Sequence, residues 1–222
     1  EVNQRFALGG GEVHLIDTVS AYSAFANGGE RVEPISILKV MDREGRVIFE
    51  QKPTKGARVM KAAEAYLINQ ILAADSARAL AFGLNSKLNL GPNVAVKTGT
   101  TNDQRDNWAI GWSQEVLVGA WVGNNDNSPM KSVASGVSGA TPIWQRIMKF
   151  ALAHGYQAPA WEVPSEIERV TVDALSGYPA TDGLPSREEV VIRGTLPALP
   201  DPIHQRLKLC RGQAKLATEA QM

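Results

Sequence analysis

Residues 97–101 read Lys-Thr-Gly-Thr-Thr and follow a short apolar run. On an extended strand, residues two apart share a face, so Thr98 and Thr100 present two hydroxyl groups side by side. Two hydroxyls and the neighbouring Lys97 ammonium suit a terminal carboxylate. Gly99 has no Cβ, so a ligand backbone can approach closely, and a main-chain N–H at the same place can stabilise the oxyanion of an acyl transfer. The pattern predicts a wall of an acyl-transfer site, although the same tetrapeptide also occurs where a strand meets a turn.

The elements around this segment predict an α+β layout with an antiparallel sheet flanked by helices. Apolar periodicity indicates helices over residues 15–26 and 61–74, and Thr141-Pro142 is typical of a third helix start. The alternating runs 107–112 and 115–123 are close enough in the chain to form an antiparallel pair. Their small residues leave room for another layer to pack against them. The KTGTT run is expected to begin one strand of this sheet.

Turn chemistry and composition describe the remaining chain. Residues 31–50 predict a hairpin with its turn at residues 42–45, and residues 76–93 form a looser segment. Beyond residues 157–160 lie two strand-like runs, ERVTVD and EEVVIRGT, and the proline-rich LPALPDP.

This change in composition predicts three parts of the chain. Residues 1–155 form the main domain, residues 156–200 form a small β-rich appendage, and residues 201–222 form a loosely ordered tail.

Composition excludes several classes of function. The 23 basic residues balance the 23 acidic ones, so the chain lacks the charge expected of a nucleic-acid-binding protein. No apolar run approaches the roughly 18 residues of a membrane span. A single cysteine, Cys210, excludes an internal disulfide. His14, His154 and His204 have no second ligand at metal spacing, so neither a metal site nor a cofactor is predicted.

A longer segment, VKTGTTNDQRDNWAIGW, resembles the third-motif segment of the class A penicillin-binding proteins, bifunctional enzymes that polymerise and cross-link peptidoglycan. Four other parts resemble the same family in the same order: ALGGGEVHLIDTVSAYSAFANGG, EPISILKVMDREGRVIFE, SGVSGATPIWQRIM, and IERVTVDALSGYPAT with EEVVIRGT. The similarity extends from Phe6 to Thr195, and Ala109 departs from it where an aromatic residue is common. The resemblance implies the penicillin-binding/serine β-lactamase-like transpeptidase fold, incomplete at its N-terminus, with a small β appendage.

The same family uses a nucleophilic serine in S-x-x-K at a helix start and a second serine in S-x-N. Ser36-Ile37-Leu38-Lys39 has the letters of the first motif but lies in an extended run after Pro34, so Ser36 is not assigned as the nucleophile. No serine precedes an asparagine at the second spacing. Because the chain starts at Glu1, we expect both motifs, a glycosyltransferase domain and a membrane anchor upstream.

The resemblance implies a role for each residue of the KTGTT run. Lys97 assists proton transfer at the S-x-N serine, and the Thr100 N–H contributes to the oxyanion hole. The Thr98 and Thr100 hydroxyls bind the carboxylate of a D-Ala-D-Ala stem peptide or of a β-lactam. Gly99 permits the close approach, and Thr101 extends the substrate-binding set. No metal and no cofactor are implied.

The implied function is part of a peptidoglycan DD-transpeptidase on the extracytoplasmic face of the bacterial membrane. Membrane contact would come only from the upstream anchor, and the isolated chain would be inactive and expose apolar surface. A DD-carboxypeptidase or β-lactamase-type hydrolase is one alternative, and a non-catalytic cell-wall-binding module is another. Trp108, Trp112 and Trp121 either line a groove or pack within the sheet.

Overall fold

The structure is a computed structural model that describes residues 11–52, 54–131, 138–199 and 201–204 of the 222-residue chain. The chain divides into two compact units, Glu1–Pro164 and Ser165–Met222. The helices of the first unit are α1 (Leu15–Ala26), α2 (Ala62–Ala73), α3 (Asp75–Phe82) and α4 (Ala140–Ala153). Its strands are β1 (Glu30–Arg31), β2 (Lys39–Met41), β3 (Val47–Glu50), β4 (Ala57–Arg58), β5 (Ala95–Thr100), β6 (Asp106–Trp112) and β7 (Leu117–Gly123). The strands of the second unit are β8 (Ile167–Asp173) and β9 (Ser186–Ile192).

A three-stranded antiparallel sheet in the order β5-β6-β7 forms the centre of the first unit. This arrangement confirms the predicted α+β class and the predicted pairing of the two alternating runs. The helices α1 and α2 and the hairpin of β2 and β3 also lie where the sequence pattern places them.

The apolar core lies between one face of this sheet and α4. Strand residues such as Ala109 alternate with residues of the opposite face, so every second side chain of β6 faces α4. Trp144 and Met148 of α4 are fully buried against that face. The buried members of this core are Leu88, Val94, Val96, Ala109, Val118, Ala120, Ala140, Trp144 and Met148.

Two strand glycines allow the helices to approach the sheet on opposite faces. A Cβ at Gly111 would lie 2.5 Å from a ring carbon of Trp144 in α4. A Cβ at Gly119 would lie 2.5 Å from a methyl carbon of Val19 in α1. The small residues of these strands therefore make room for the neighbouring layers, as the sequence predicts.

The α1-facing side of the sheet is anchored by a buried polar pair. The Trp112 indole N–H donates to Asn69 Oδ1 at 2.9 Å, and Asn69 Nδ2 donates to the Phe25 carbonyl at 2.9 Å. The Trp112 ring also stacks on Phe25, with centroids 5.7 Å apart. Trp112 is thus a core residue that ties β6 to α1 and α2 and does not line a groove.

Helix α3 lies within the segment that the sequence describes only as loose. None of its eight residues is buried, and a segment of eight residues is too short to show a clear helical period in the sequence. Arg78 connects α3 to its neighbours, with Nη1 donating to the Leu72 carbonyl of α2 at 2.8 Å and Nη2 to the Leu88 carbonyl at 3.4 Å. Its Nε lies 3.4 Å from Asp75 within the same helix.

The hairpin of β2 and β3 exposes apolar side chains. Asp42 Oδ1 accepts hydrogen bonds from the Glu44 and Arg46 N–H groups and closes the turn at Gly45, which has a φ of +79°. All seven strand residues are exposed.

Among the described residues, no helix is long and apolar enough to cross a membrane.

In the second unit, β8 and β9 pair antiparallel over seven residues each, which confirms the two strands predicted there. The predicted limits of the main domain, appendage and tail remain predictions. Residues 205–222 of the predicted tail, with Cys210, lie outside the described residues, as do residues 1–10 of the first glycine-rich segment.

We predict that Gly119→Ala destabilises the first unit by about 1–3 kcal/mol, because the added methyl overlaps Val19 in a packed interface. Chemical denaturation of the chain and the variant measures this difference in the free energy of unfolding. Gly99→Ala is the matched control, since the one described atom that its Cβ would approach is the Trp108 Cβ, at 3.6 Å. Equal losses in both variants would contradict the packing argument.

Candidate active site

The KTGT residues are the last four of β5, whereas the sequence pattern predicts that they begin a strand. The strand starts at Ala95, and both Ala95 and Val96 are buried. It ends because Thr101 joins a turn: its N–H donates to the Asp106 carbonyl at 3.1 Å, and its hydroxyl accepts from the Asp106 N–H at 2.7 Å. The polar residues therefore lie at the end of the strand where it becomes accessible.

Alternation along β5 separates the candidate side chains onto two faces. Thr98 and Thr100 share the face that carries Val96, as predicted for residues two apart. Lys97 and Gly99 lie on the opposite face. The Lys97 ammonium nevertheless donates a hydrogen bond to the Thr98 carbonyl, so the lysine charge lies next to the strand backbone. Lys97 is exposed.

The backbone of β5 is open along one edge in the part of the chain that the structure describes. The strand pairs with β6 on one side, and the order β5-β6-β7 places it at the edge. Thr101 forms a bonded pair with Asp106. Hydrogen-bonded pairs alternate in an antiparallel ladder, so the N–H groups of Thr98 and Thr100 point away from β6. Two main-chain donors thus face the side on which a ligand could bind.

The Thr100 hydroxyl is oriented by a residue that the sequence analysis does not select. Asn107 is fully buried in β6, and its Nδ2 donates to Thr100 Oγ1 at 3.1 Å. Its Oδ1 accepts from the Ala140 N–H, the first residue of α4, at 2.6 Å. Asn107 is a polar residue at a core-facing position of an alternating strand, and this was the signal in the sequence that could have identified it. Its partners are 7 and 33 residues away in the chain, so spacing does not reveal them.

This bond also explains why α4 begins at Ala140 and not at the predicted Thr141-Pro142. Gly139 precedes the helix and supplies no side-chain cap. Asn107 provides the missing acceptor for a first-turn N–H, and the cap is therefore tertiary.

Aromatic residues lie beside the strand in different settings. Trp108 is half-buried and pairs with Gly99 across β5 and β6. The Trp121 indole N–H donates to Asp106 Oδ1 at 2.6 Å, next to the turn that holds Thr101. Only Trp108 and Trp121 therefore remain near the site, because Trp112 is in the core.

The S-x-x-K matches do not provide a helical nucleophile. Ser36 precedes strand β2 in non-helical backbone, as the sequence predicts. Ser128-Pro129-Met130-Lys131 is a second match to this spacing, in addition to the one considered from the sequence. It is also non-helical, and the Ser128 hydroxyl donates to Asp126 Oδ1 at 2.7 Å. Within the described residues, neither match places its serine at the start of a helix.

Residues 3–149 match the family model of the penicillin binding protein transpeptidase domain. Penicillin-binding protein 1A of Neisseria meningitidis is 34% identical over 166 residues, which are 72% of this chain and 20% of that protein. The chain therefore spans about a fifth of the length of such relatives.

Solved structures share this fold. Penicillin-binding protein 1A from Haemophilus influenzae superposes with a TM-score of 0.75 and 25% identity, covering 89% of this chain and 34% of that one. The PonA1 protein from Mycobacterium tuberculosis, in complex with penicillin V, gives a TM-score of 0.61 and 26% identity over 74% of this chain and 44% of that one.

We predict that Asn107→Ala lowers the free energy of unfolding by about 2–3 kcal/mol, because it leaves the buried Ala140 N–H without its acceptor. Urea denaturation of wild type and variant provides the measurement. Asn102→Ala is the control, since Asn102 is exposed in the turn after β5. A loss no larger than that of the control would show that the Asn107 bonds do not hold α4 on the sheet.

Proposed function

This chain belongs to the penicillin-binding protein transpeptidase family, and we propose that in the whole protein it supplies one wall of a serine D-Ala-D-Ala transpeptidase site. The observation that carries the proposal is the open edge of β5, where the Lys97 ammonium and the outward N–H groups of Thr98 and Thr100 lie together. Residues 1–155 would then belong to the transpeptidase domain, and residues 156–200 to an appendage.

The proposed reaction is an acyl transfer in two steps. A serine hydroxyl attacks the carbonyl of the penultimate D-Ala, and the terminal D-Ala leaves as a free amine after gaining a proton. The serine ester then passes its acyl group to an acceptor amine of a second stem peptide, which cross-links peptidoglycan. Neither step requires a metal or an organic cofactor.

The outward N–H of Thr100 suits the oxyanion that forms when the carbonyl is attacked. A donor that is already fixed by the sheet does not have to reorganise as charge develops, so it favours the transition state over the substrate. The register with Asn107 holds Thr100 in place, because the strand and the hydroxyl are both bonded to β6. This rigidity supports an electrostatic role for the Thr100 main chain.

The substrate carboxylate would bind at the Thr98 and Thr100 hydroxyls, with Lys97 contributing positive charge. Thr101 is a weaker member of this set, since its hydroxyl already bonds Asp106 in the turn. A β-lactam carries a carboxylate and a reactive carbonyl and would occupy the same wall. The proposed location is the outer side of the bacterial cytoplasmic membrane, where peptidoglycan is cross-linked.

We predict that Lys97→Ala slows covalent labelling of the whole protein by a fluorescent penicillin by about 100-fold or more, because proton transfer loses its positioned group. The rate of label incorporation is measured on a gel, with melting temperature as a check on folding. Lys87→Ala, an exposed lysine ten positions earlier in the same unit, is the matched control and should label at the wild-type rate.

The labelling experiment also separates the competing functions. Equal labelling of Lys97→Ala and wild type would contradict the role of Lys97. A wild-type protein that never takes up label would favour a non-catalytic wall-binding module. Label that is rapidly lost by hydrolysis would favour a carboxypeptidase or β-lactamase-type hydrolase.

We predict that Gly99→Ala leaves the melting temperature of the whole protein unchanged but lowers the penicillin labelling rate by at least about tenfold, since the methyl group blocks a ligand backbone at β5. In the described structure the added Cβ makes only an ordinary contact with Trp108, so the folded state should tolerate it. A lower labelling rate with an unchanged melting temperature would therefore report on ligand binding and not on folding. Unchanged labelling would show that no ligand approaches closely at Gly99.

A further inference from the structure

Three metal-ligating side chains meet in the second unit, far from the transpeptidase wall in the sequence. They are Asp173 at the end of β8, Asp201 and His204. One oxygen or nitrogen from each lies within 4.8 Å of the others. The side chains of Asp173 and Asp201 are 1% and 5% exposed, and that of His204 is 29% exposed, so the cluster is largely shielded from water.

The two oxygens of Asp173 have different surroundings. Its Oδ1 accepts from the Leu175 and Ser176 N–H groups, each at 2.9 Å, and these bonds close the turn after β8. Its Oδ2 is buried and has no hydrogen bond of acceptable geometry among the described residues. The nearest polar group is His204 Nδ1, at 3.1 Å.

His204 cannot satisfy both carboxylates by itself. Its Nδ1 lies 3.1 Å from Asp173 Oδ2 and also 3.1 Å from Asp201 Oδ2. A ring nitrogen carries at most one hydrogen, and the His204 ring is oriented to share it with Asp201 Oδ2. Asp201 Oδ2 also accepts from the Ser176 hydroxyl at 2.8 Å, whereas the buried Asp173 Oδ2 has no hydrogen-bond donor among the described residues.

Charge leads to the same conclusion. Two carboxyl groups face one imidazole, which contributes at most a single positive charge. A buried excess of negative charge is unfavourable unless a cation balances it.

The spacing of the donor atoms suits a small divalent cation. Ligands about 2.0–2.2 Å from a tetrahedral zinc ion are about 3.3–3.6 Å apart. The two separations of 3.1 Å from His204 Nδ1 are slightly shorter, so the three side chains would move apart by a few tenths of an ångström around the ion. Imidazole nitrogen with carboxylate oxygens favours a borderline ion such as Zn²⁺ over Ca²⁺ or Mg²⁺, which prefer oxygen ligands alone.

We propose that Asp173, Asp201 and His204 bind a divalent transition-metal ion of the Zn²⁺ type, with water completing the coordination. The Ser176 hydroxyl, which donates to Asp201 Oδ2 at 2.8 Å, orients that ligand from outside the site. The ion fastens residues 201–204 to the turn after β8. This metal clasp goes beyond the proposed function, and its test has no acylation readout.

The test is calorimetric titration of Zn²⁺ into the full 222-residue chain after removal of metal with a chelator. We expect saturable binding of one ion per chain and a rise in melting temperature on binding. Asp173→Asn keeps the acceptor for the turn but loses the charged ligand, and His204→Ala removes the imidazole. Each should weaken binding by about 100-fold or more and abolish the Zn²⁺-dependent melting shift.

His154→Ala is the matched control, because His154 is an exposed histidine in the other unit, and it should bind Zn²⁺ as wild type does. If Asp173→Asn fails to fold, the binding of Zn²⁺ by His204→Ala tests the proposal instead. His204 lies outside the strands, so its replacement should leave the β8–β9 pair intact. Absence of saturable binding would overturn the proposal. Wild-type affinity in His204→Ala would overturn it as well.

Discussion

The hydrogen bond between the Ala140 N–H and Asn107 Oδ1, 2.6 Å long, connects the start of α4 to the central strand of the sheet. The same buried amide reaches Thr100 through its Nδ2. One side chain therefore sets both the position of a core helix and the orientation of a threonine at the candidate site. A buried amide is favourable only when its polar atoms are paired, so the geometry of these contacts is closely constrained.

The opposite face of β6 carries a second buried anchor, the Trp112 indole N–H on Asn69. With buried contacts on both faces of β6, and with Gly111 of β6 and Gly119 of β7 allowing close approach, the sheet is held between helical layers on either side. The neighbouring strand β5 takes its register from β6 but keeps one edge open in the described sheet. A rigid strand with an unpaired backbone edge can present main-chain donors in fixed positions, and this is the requirement for stabilising a developing negative charge.

The second unit combines local and long-range interactions in a different way. In the turn after β8, the N–H groups of Leu175 and Ser176 donate to the side chain of Asp173. This is a local arrangement common for aspartate. The approach of Asp201 and His204 to the other oxygen of Asp173 is not local, since about 30 residues separate them in the chain. The result is a buried cluster with more negative than positive groups, which is the physical basis of the proposed metal clasp.

The sequence by itself determined the α+β class, the helices α1 and α2, the antiparallel pair β6 and β7 and the hairpin of β2 and β3. Their period, turn residues and glycines are local signals. The sequence also identified the KTGTT run and its shared threonine face, while the roles of Lys97, Thr98, Gly99, Thr100 and Thr101 remain predictions. Their chemistry depends on atoms that local spacing does not place.

Only the tertiary structure decided that β5 ends at the KTGT residues, that Asn107 caps α4, and that Trp112 is in the core. It alone placed helix α3 and brought His204, which the sequence analysis leaves without a ligand partner, next to Asp173. Each of these features depends on contacts between residues that are distant in the chain or on the closure of a turn by hydrogen bonds. Periodicity reports which face a residue occupies, but it carries no information about which distant group meets that face.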